Sequence, residues 1–256
     1  NTSFPLINQA KDSINYFTPM ASFRLNPGDM KDYSSSDRSV NVSSIFDINR
    51  LGLNDSYESG KSFTLGLDYK IEDKSDIEKF LEIKLATNLR DTKEDKIPTS
   101  SSINRTTSNI FGSVENSFSD FFSLNYDFAI DNDFNKFEHN SIEAAFSVNN
   151  FVTTFNFLEK SGEVGDVNTF ENTTEITFND NNSLLFKTRR NRKISLTEYY
   201  DLVYEYQNDC LTAGIKYRKT YYQDRDLKPK EDLFFTITLF PLTSLDQKID
   251  QELYRN

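Results

Sequence analysis

The sequence predicts an all-β protein, an antiparallel transmembrane β-barrel, and three observations predict it. Apolar and polar residues alternate with a period of two in segments along the whole chain, as at 63–69, 122–130 and 211–217. The predicted strands are about ten residues long, the length that a tilted strand needs to cross a bilayer. Towards the C-terminus the connections alternate between short turns and longer polar loops, which is typical of outer-membrane barrels.

We predict about 13 strands from this alternation. They lie at residues 15–25, 39–49, 61–71, 79–90, 106–116, 120–130, 140–149, 151–160, 168–179, 183–190, 198–207, 210–222 and 232–241. Tight turns are expected at 149–150, 180–182 and 208–209, and longer polar connections at 91–105, 131–139, 161–167, 191–197 and 223–231. Before residue 80 the alternation loosens, because segments 26–38 and 50–60 are both long.

Composition narrows the class of function. Among 256 residues, 40 Asp and Glu oppose 29 Lys and Arg, and a net charge of -11 argues against a nucleic-acid partner. The sequence contains many aromatic residues, 23 Phe and 13 Tyr, although only 36% of its residues are hydrophobic. The aromatic residues therefore do not accompany an ordinary core rich in aliphatic residues. No apolar stretch is long enough for a transmembrane helix. The opening residues, 1–3, carry no initiator Met and no signal peptide, so we expect a processed chain or a piece of a longer one.

Two other β architectures compete with the barrel. A soluble β-sandwich also has alternating strands and short turns. Strand length, the two kinds of connection and the aromatic content favour the membrane. A solenoid requires a repeat of fixed length, and the sequence has no such period.

The sequence predicts no enzyme, no cofactor and no metal site. His139 is the only histidine and falls in a predicted loop without a nucleophile motif nearby, so we expect a solvated residue. Residues 131–135 resemble the start of a calcium loop, but Lys136 stands where an EF-hand has Gly and Ile142 where it has Glu. A turn between strands is the better interpretation. Nucleotide-binding, hydrolase and metalloprotease motifs are missing from the sequence.

Two features remain as candidate sites. The basic cluster comprises five residues, Lys187, Arg189, Arg190, Arg192 and Lys193. It either contacts phosphates or acidic sugars of a ligand at the barrel wall, or is a solvated loop whose charges pair with nearby carboxylates. Cys210 follows a tight turn and opens a strand, so it is either a small buried hydrophobe or, in an oxidising compartment, one half of a bridge.

Two segments resemble a known family. Residues 199–217, with the following 221–229 and the strand 233–239, resemble the penultimate hairpin and last strand of the LPS-assembly protein family LptD, most closely its alphaproteobacterial form. Residues 51–60, followed by 64–67, resemble the segment G-x-D-x-x-E-x-G of the same family. Between residues 90 and 180 the sequence resembles this family only in its pattern of strands. The resemblance implies that residues 1–256 form the C-terminal part of the barrel, without the periplasmic jellyroll domain and the first strands.

The resemblance also implies roles and partners. The protein is then a Gram-negative outer-membrane translocon that inserts lipopolysaccharide through a lateral seam between its first and last strands. A porin or uptake barrel is the alternative. Strand 232–241 becomes one lip of the gate, with residues Leu233, Phe235, Thr236, Ile237, Thr238 and Leu239. Cys210 lies on the periplasmic side and forms a disulfide with the missing N-terminal part. The implied partners are lipopolysaccharide, an LptE-type lipoprotein plug, an LptA-type periplasmic bridge and the BAM insertion machinery.

Overall fold

The computed structural model describes residues 1–224, 226–239 and 243–250, and these form an all-β protein. The fifteen strands among the described residues are β1 Thr2–Ser3, β2 Leu6–Gln9, β3 Ser13–Asn26, β4 Gly60–Asp73, β5 Phe80–Arg90, β6 Ile110–Ser119, β7 Phe122–Ile130, β8 Phe137–Val148, β9 Phe151–Lys160, β10 Val167–Asn179, β11 Asn182–Asn191, β12 Leu196–Gln207, β13 Leu211–Thr220, β14 Lys230–Leu239 and β15 Thr243–Asp250. Two short 3₁₀ turns lie at Thr99–Ser101 and Gly162–Val164. The described part of the chain has no helix that is long and apolar enough to span a membrane. The predicted all-β antiparallel fold is confirmed.

The strands are antiparallel and follow chain order. β1 and β2 both pair with β3, and from β3 onward each strand is followed in the sheet by the next strand in the chain. The chain divides into two compact units. The first unit comprises Asn1–Ile142 and Leu158–Val167, and the second comprises Glu143–Phe157 and Asn168–Asn256.

In the first unit, β4 and β5 each present one apolar and one polar face. Phe63 lies opposite Phe23 and Leu89, and one step along the strand Thr64 lies opposite Asn88. Phe63 and Leu89 are each 40% exposed, whereas Thr64 and Asn88 are fully buried. The apolar face is therefore the open one, and the polar face is covered. This inverts the usual arrangement of a water-soluble domain and suits a sheet that borders lipid.

The second unit has the same two-faced sheet. Leu202 and Tyr204 of β12 are more than 40% exposed, and Ile215 and Ile237 on the neighbouring strands share their face. The opposite face of β12 carries Asp201, which is 3% exposed. Because side chains alternate along a strand, the register keeps most apolar residues of β12–β14 on a single face, and Val203 and Phe234 are exceptions that lie on the face of Lys216.

The prediction of a strand at 39–49 is wrong. These residues belong to one long connection, residues 27–59, between β3 and β4. Asn41 begins a turn there, since its Oδ1 accepts the backbone N–H groups of Ser43 and Ser44 at 3.1 and 2.9 Å. The period-two spacing of Val40 and Val42 comes from packing into a cluster within the loop. Without that strand, long connections alternate with short ones from β3 onward, and the apparent irregularity before residue 80 disappears.

The strands at the two ends of the sheet also differ from prediction. β1, β2 and β15 were not predicted. β14 pairs with β13 on one side and with β15 on the other, so the segment predicted as the last strand is not an edge among the described residues. The last described strand is Thr243–Asp250, whose sequence has too few apolar residues to show the alternation. Residues 240–241 of the predicted strand lie outside the described residues.

Candidate functional site: a polar face and the loop that covers it

The polar face of the first unit is covered by its two longest connections, residues 27–59 and 91–109. They carry a small hydrophobic core that packs onto three strand residues, Ala86, Phe111 and Ala129. Its loop members are buried side chains, namely Met30, Val40, Val42, Ile45, Leu51, Leu53, Ile97 and Ile103. Burial of these residues stabilises the loops by the hydrophobic effect, so the loops are an ordered layer on the sheet.

Gly66 of β4 allows this layer to approach the sheet closely. A Cβ at this position would lie 2.5 Å from Cζ of Phe46 and 2.7 Å from its Cε2. The phenyl ring of Phe46 therefore fills the space that any other residue would need, and it packs against the hydrophobic cluster. The loop is fitted to the strand at this point.

A buried charge cluster of Arg50, Glu58 and Arg90 fixes the loop to β4 and β5. The Arg50 guanidinium donates from Nε to Glu58 Oε2 at 2.7 Å and from Nη2 to Glu58 Oε1 at 2.5 Å. Arg90 of β5 donates to the same carboxylate and to the carbonyl oxygen of Ser59. Both arginine side chains are 1% exposed. One carboxylate thus bridges two buried guanidinium groups and compensates one of their two positive charges.

The remaining donors of Arg50 bind the sheet. Its Nη1 donates to Thr64 Oγ1 at 3.1 Å and to Asn88 Oδ1 at 2.9 Å, and its Nη2 donates to Ser62 Oγ at 3.2 Å. Burial of Glu58 raises the pKa of its carboxyl, but the hydrogen bonds and charge of Arg50 and the charge of Arg90 outweigh it, so the pKa lies below its ordinary value. The carboxylate form therefore holds the loop in place.

Sequence reasoning missed this cluster, although Glu58 lies in the segment that resembles the LptD family. Arg50 and Glu58 are eight residues apart in a loop, a spacing that corresponds to no regular element. Their partners on β4 and β5 are brought in only by strand register.

A cavity of about 160 Å³ lies beneath the loop layer of the first unit. Its polar lining includes Asp127, His139 and Ser141, and its apolar lining includes Phe111 and Val164. His139 lies in β8 and is half-buried, so the expectation of a solvated loop residue is wrong. Strand β8 begins earlier than predicted and includes it. The expected turn at 131–136 is present, with Asp131 Oδ1 accepting the N–H of Asn135 at 2.7 Å.

On the polar face of the second unit, charged residues pair across strands. The Asp201 carboxylate accepts hydrogen bonds from Nε and Nη2 of Arg218, both at 2.6 Å, and Nζ of Lys216 lies 3.0 Å from its Oδ2. Tyr199 donates to Glu171 at 3.0 Å, and its ring lies 4.8 Å from the Arg218 guanidinium carbon. The face is hydrophilic and nearly neutral in charge, so a sugar or water can contact it without a strong local field.

The structure divides the basic cluster between the two faces. Lys187 and Arg189 lie on the polar face and pair with Glu171 and Glu198, each at 3.0 Å. Arg190 lies on the apolar face opposite Phe170. Two further members follow β11 in its connection to β12, namely Arg192 and Lys193. The five residues therefore do not form one surface.

Cys210 is exposed in the turn between β12 and β13, and it is a free thiol within this chain. Asn208 shapes the turn, since its Oδ1 accepts the N–H of Cys210 at 3.0 Å and of Leu211 at 2.9 Å. The thiol is therefore presented at a fixed point on the rim that carries the short turns.

The six residues predicted for the gate lie in β14. Leu233, Phe235, Ile237 and Leu239 share the apolar face with β13, and Thr236 and Thr238 lie on the polar face. Ile237 and Leu239 are 45% and 41% exposed. The described residues hold no group of three or more His, Cys, Asp or Glu side chains arranged to bind a metal ion.

Comparison with known protein families gives a match. The family model described as "LptD: LPS transport system D" matches residues 3–184. This range includes the segment 51–67 but ends before the hairpin at 199–217. A search of curated proteins gives no match.

Among solved structures, one similar chain is a mutant (G324V) of the ferric enterobactin receptor PfeA from Pseudomonas aeruginosa. The TM-score is 0.41 at 12% sequence identity, over 98% of this chain and 55% of that chain. The chain thus spans about half the length of that structure.

Proposed function

Because the chain belongs to the LPS transport system D (LptD) family, we propose that it forms part of the wall of a translocon that inserts lipopolysaccharide into the outer leaflet. It is an outer-membrane β-barrel protein of Gram-negative bacteria. We propose further that residues 1–256 are the C-terminal part of the barrel, and that the jellyroll domain and the first strands belong to the rest of the protein.

The observation that carries this proposal is the two-faced sheet. Lipopolysaccharide has acyl chains that need an apolar surface and sugars that need a polar one. In each unit the exposed apolar residues share one face, as Phe63 and Leu89 do in the first unit, while hydrogen-bonding groups share the other. A wall of this kind separates lipid from a hydrophilic lumen. An amphiphile then crosses from the lumen to the membrane only where the wall opens.

The seam would lie at the last hairpin that the structure describes, β14–β15. In the proposed gate, Leu233, Phe235, Ile237 and Leu239 face lipid, and Thr236 and Thr238 face the lumen. Threonine hydroxyls can form hydrogen bonds with the sugar hydroxyls of lipopolysaccharide as it passes, while the apolar residues contact its acyl chains. Since β14 is paired on both sides, β15 rather than β14 is the strand that would pair across the seam with the start of the full-length barrel.

The proposed partners follow from the family. They are lipopolysaccharide as cargo, an LptE-type lipoprotein in the lumen, an LptA-type bridge to the N-terminal domain and the BAM machinery for insertion. Cys210 would bridge to a cysteine of that domain, because it is exposed and has no partner cysteine in this chain.

The test is an engineered disulfide that locks β15 to the first strand of the full-length barrel. We expect surface lipopolysaccharide to stop appearing when the bridge is formed and to return when it is reduced. A matched bridge between β12 and β13, which are already neighbours, should leave export unchanged. Normal surface lipopolysaccharide in fully locked protein would refute the lateral seam.

A further inference from the structure

We propose that Arg190 and Arg192 form a binding site for the phosphorylated headgroup of a lipid A molecule in the surrounding leaflet, on the apolar face of the sheet. This site is separate from the proposed transport path, because it lies outside the wall and holds a resident lipid.

The first argument is the pairing of charges on β10–β14. The other basic side chains that these strands carry each have a carboxylate partner within 3.3 Å: Lys187, Arg189, Lys216, Arg218, Lys219 and Lys230. Arg190 has no carboxylate partner among the described residues and is exposed. Arg192, which follows in the connection, is also exposed and contacts the ring of Phe157, with 5.4 Å from the guanidinium carbon to the ring centroid. Two guanidinium groups are thus left without anions.

The second argument is their shared surroundings. Arg190 and Arg192 line an open groove of about 490 Å³ together with Phe170 and Ser195. Phe170 belongs to an aromatic row on the apolar face, since its ring lies 5.9 Å from that of Phe155. A groove with cations at its rim and aromatic rings on its wall matches a lipid that has an anionic head and acyl chains.

The third argument is depth in the membrane. Along the apolar face of β11, Arg190 lies four residues beyond Phe186, which stacks on Tyr200 at 6.0 Å between ring centroids. Four residues of a strand cover about 13 Å. Tyr200 in turn contacts Tyr221 at 5.8 Å, so aromatic rings form a band just inside the rim that carries the longer connections. Aromatic girdles mark the membrane interface, and Arg190, opposite Phe170, lies at the outer end of this band, at the level of lipid headgroups.

The chemistry selects phosphate. A guanidinium group binds phosphate oxygens through two parallel N–H donors, and two such groups in one groove can bind a single phosphate or two phosphates of one headgroup. A neutral headgroup would leave both arginines unpaired. By the rule that the longer connections of an outer-membrane barrel are extracellular, this rim faces the outer leaflet.

The test uses the full-length protein in outer membranes, with a photoreactive phenylalanine analogue in place of Thr188. This residue lies on the apolar face next to Arg190, opposite Tyr200. We expect ultraviolet light to crosslink the protein to lipopolysaccharide, and the double variant R190Q/R192Q to lower the yield by about tenfold or more, as expected when charge-assisted hydrogen bonds are lost. The variant R190K/R192K, which keeps both charges, should lower it less.

K219Q is the matched control. Lys219 lies on the same face, opposite Tyr200, but its charge is paired with Glu231 at 3.0 Å. We expect K219Q to keep the wild-type yield. In bilayer discs, lipid A with both phosphates should be captured and phosphate-free lipid A should not, and millimolar inorganic phosphate should not compete.

Three results would overturn the site. They are an unchanged yield in R190Q/R192Q, an equal loss in K219Q, and equal capture of phosphate-free lipid A or of glycerophospholipid. Failure of this site and failure of transport are distinguishable. If the locked seam still exports lipopolysaccharide, transport by that route is refuted, while crosslinking that depends on Arg190 and Arg192 would still support the site.

Discussion

Replacing Glu58 by Gln should release the loop 27–59 from the sheet. Among the described residues, the change removes the only carboxylate that contacts Arg50 and Arg90, whose side chains are 1% exposed. Breaking a buried ion pair by removing one partner costs about 3–5 kcal/mol, because the other charge stays buried without compensation. The neutral amide can still accept a hydrogen bond but leaves two buried positive charges. We therefore expect the population of the released loop to rise by about a hundredfold to four-thousandfold.

Limited trypsin digestion measures this population. Arg38 lies within the loop, and its Nη1 donates to the carbonyl oxygen of Leu51 at 2.9 Å, so cleavage after Arg38 requires the loop to open. When opening is fast relative to cleavage, the cleavage rate follows the open population. The control is Asp55→Asn, because the ion pair of Asp55 with Lys31 lies in the same loop but is exposed and contributes little. A rise of less than about threefold in E58Q would refute the reasoning.

The same cluster predicts a dependence on pH. The pKa of Glu58 is lowered in the folded protein, so its contribution to stability is fully present above the ordinary value of 4.5 and is lost as the pH falls through the lowered pKa. Trypsin is inactive in that range, so pepsin should be used. Wild-type protein should show faster cleavage of the loop as the pH falls from 4.5 through the lowered pKa of Glu58, and E58Q should not show this acid-dependent step.

Other predictions concern single positions. Asp201→Asn should lower the free energy of unfolding by about 2–3 kcal/mol, because it leaves the partly buried Lys216 and Arg218 without their carboxylate. Glu231→Gln removes the carboxylate of a more exposed ion pair and should change the free energy little. Heat-modifiable migration in gels compares the two variants. Gly66→Ala should raise loop cleavage, since the new Cβ displaces the ring of Phe46 at a cost of about 1–3 kcal/mol, and unchanged cleavage would contradict the close fit. In full-length protein from outer membranes, a non-reducing digest should give Cys210 joined to a cysteine of the N-terminal domain, and a free thiol there would remove the bridge.

Period-two alternation predicted most strands well, because it reflects directly which face of a strand is apolar. The strand at 151–160 was predicted with the bounds that the structure has. The segment 39–49 shows the limit of the method. Val40 and Val42 alternate as in a strand, but a loop that buries its own apolar residues gives the same local pattern. The regular alternation of long and short connections, applied to the whole chain, is the sequence signal that argues against this strand.

The candidate sites were less accessible to sequence reasoning, because they depend on register. Arg189 and Arg190 are neighbours in sequence, yet they lie on opposite faces, so a cluster defined by sequence combined two environments. The cluster of Arg50, Glu58 and Arg90 joins a loop to a strand across a separation of 40 residues in the chain. Neither composition nor local spacing contains that information.

The length of the connection 27–59 sets the order in which hairpins can assemble. Pairing β3 with β4 closes a loop of 33 residues, whereas pairing β12 with β13 closes one of three. The difference in chain entropy between closing these two loops is about 2 kcal/mol. Hairpins with short turns are therefore expected to form first. The β3–β4 pair is expected to form late unless Met30, Val40, Ile45 and their neighbours have already packed into their cluster. We therefore expect the loop's hydrophobic cluster to form before the β3–β4 pair and to compensate for the distance between the two strands.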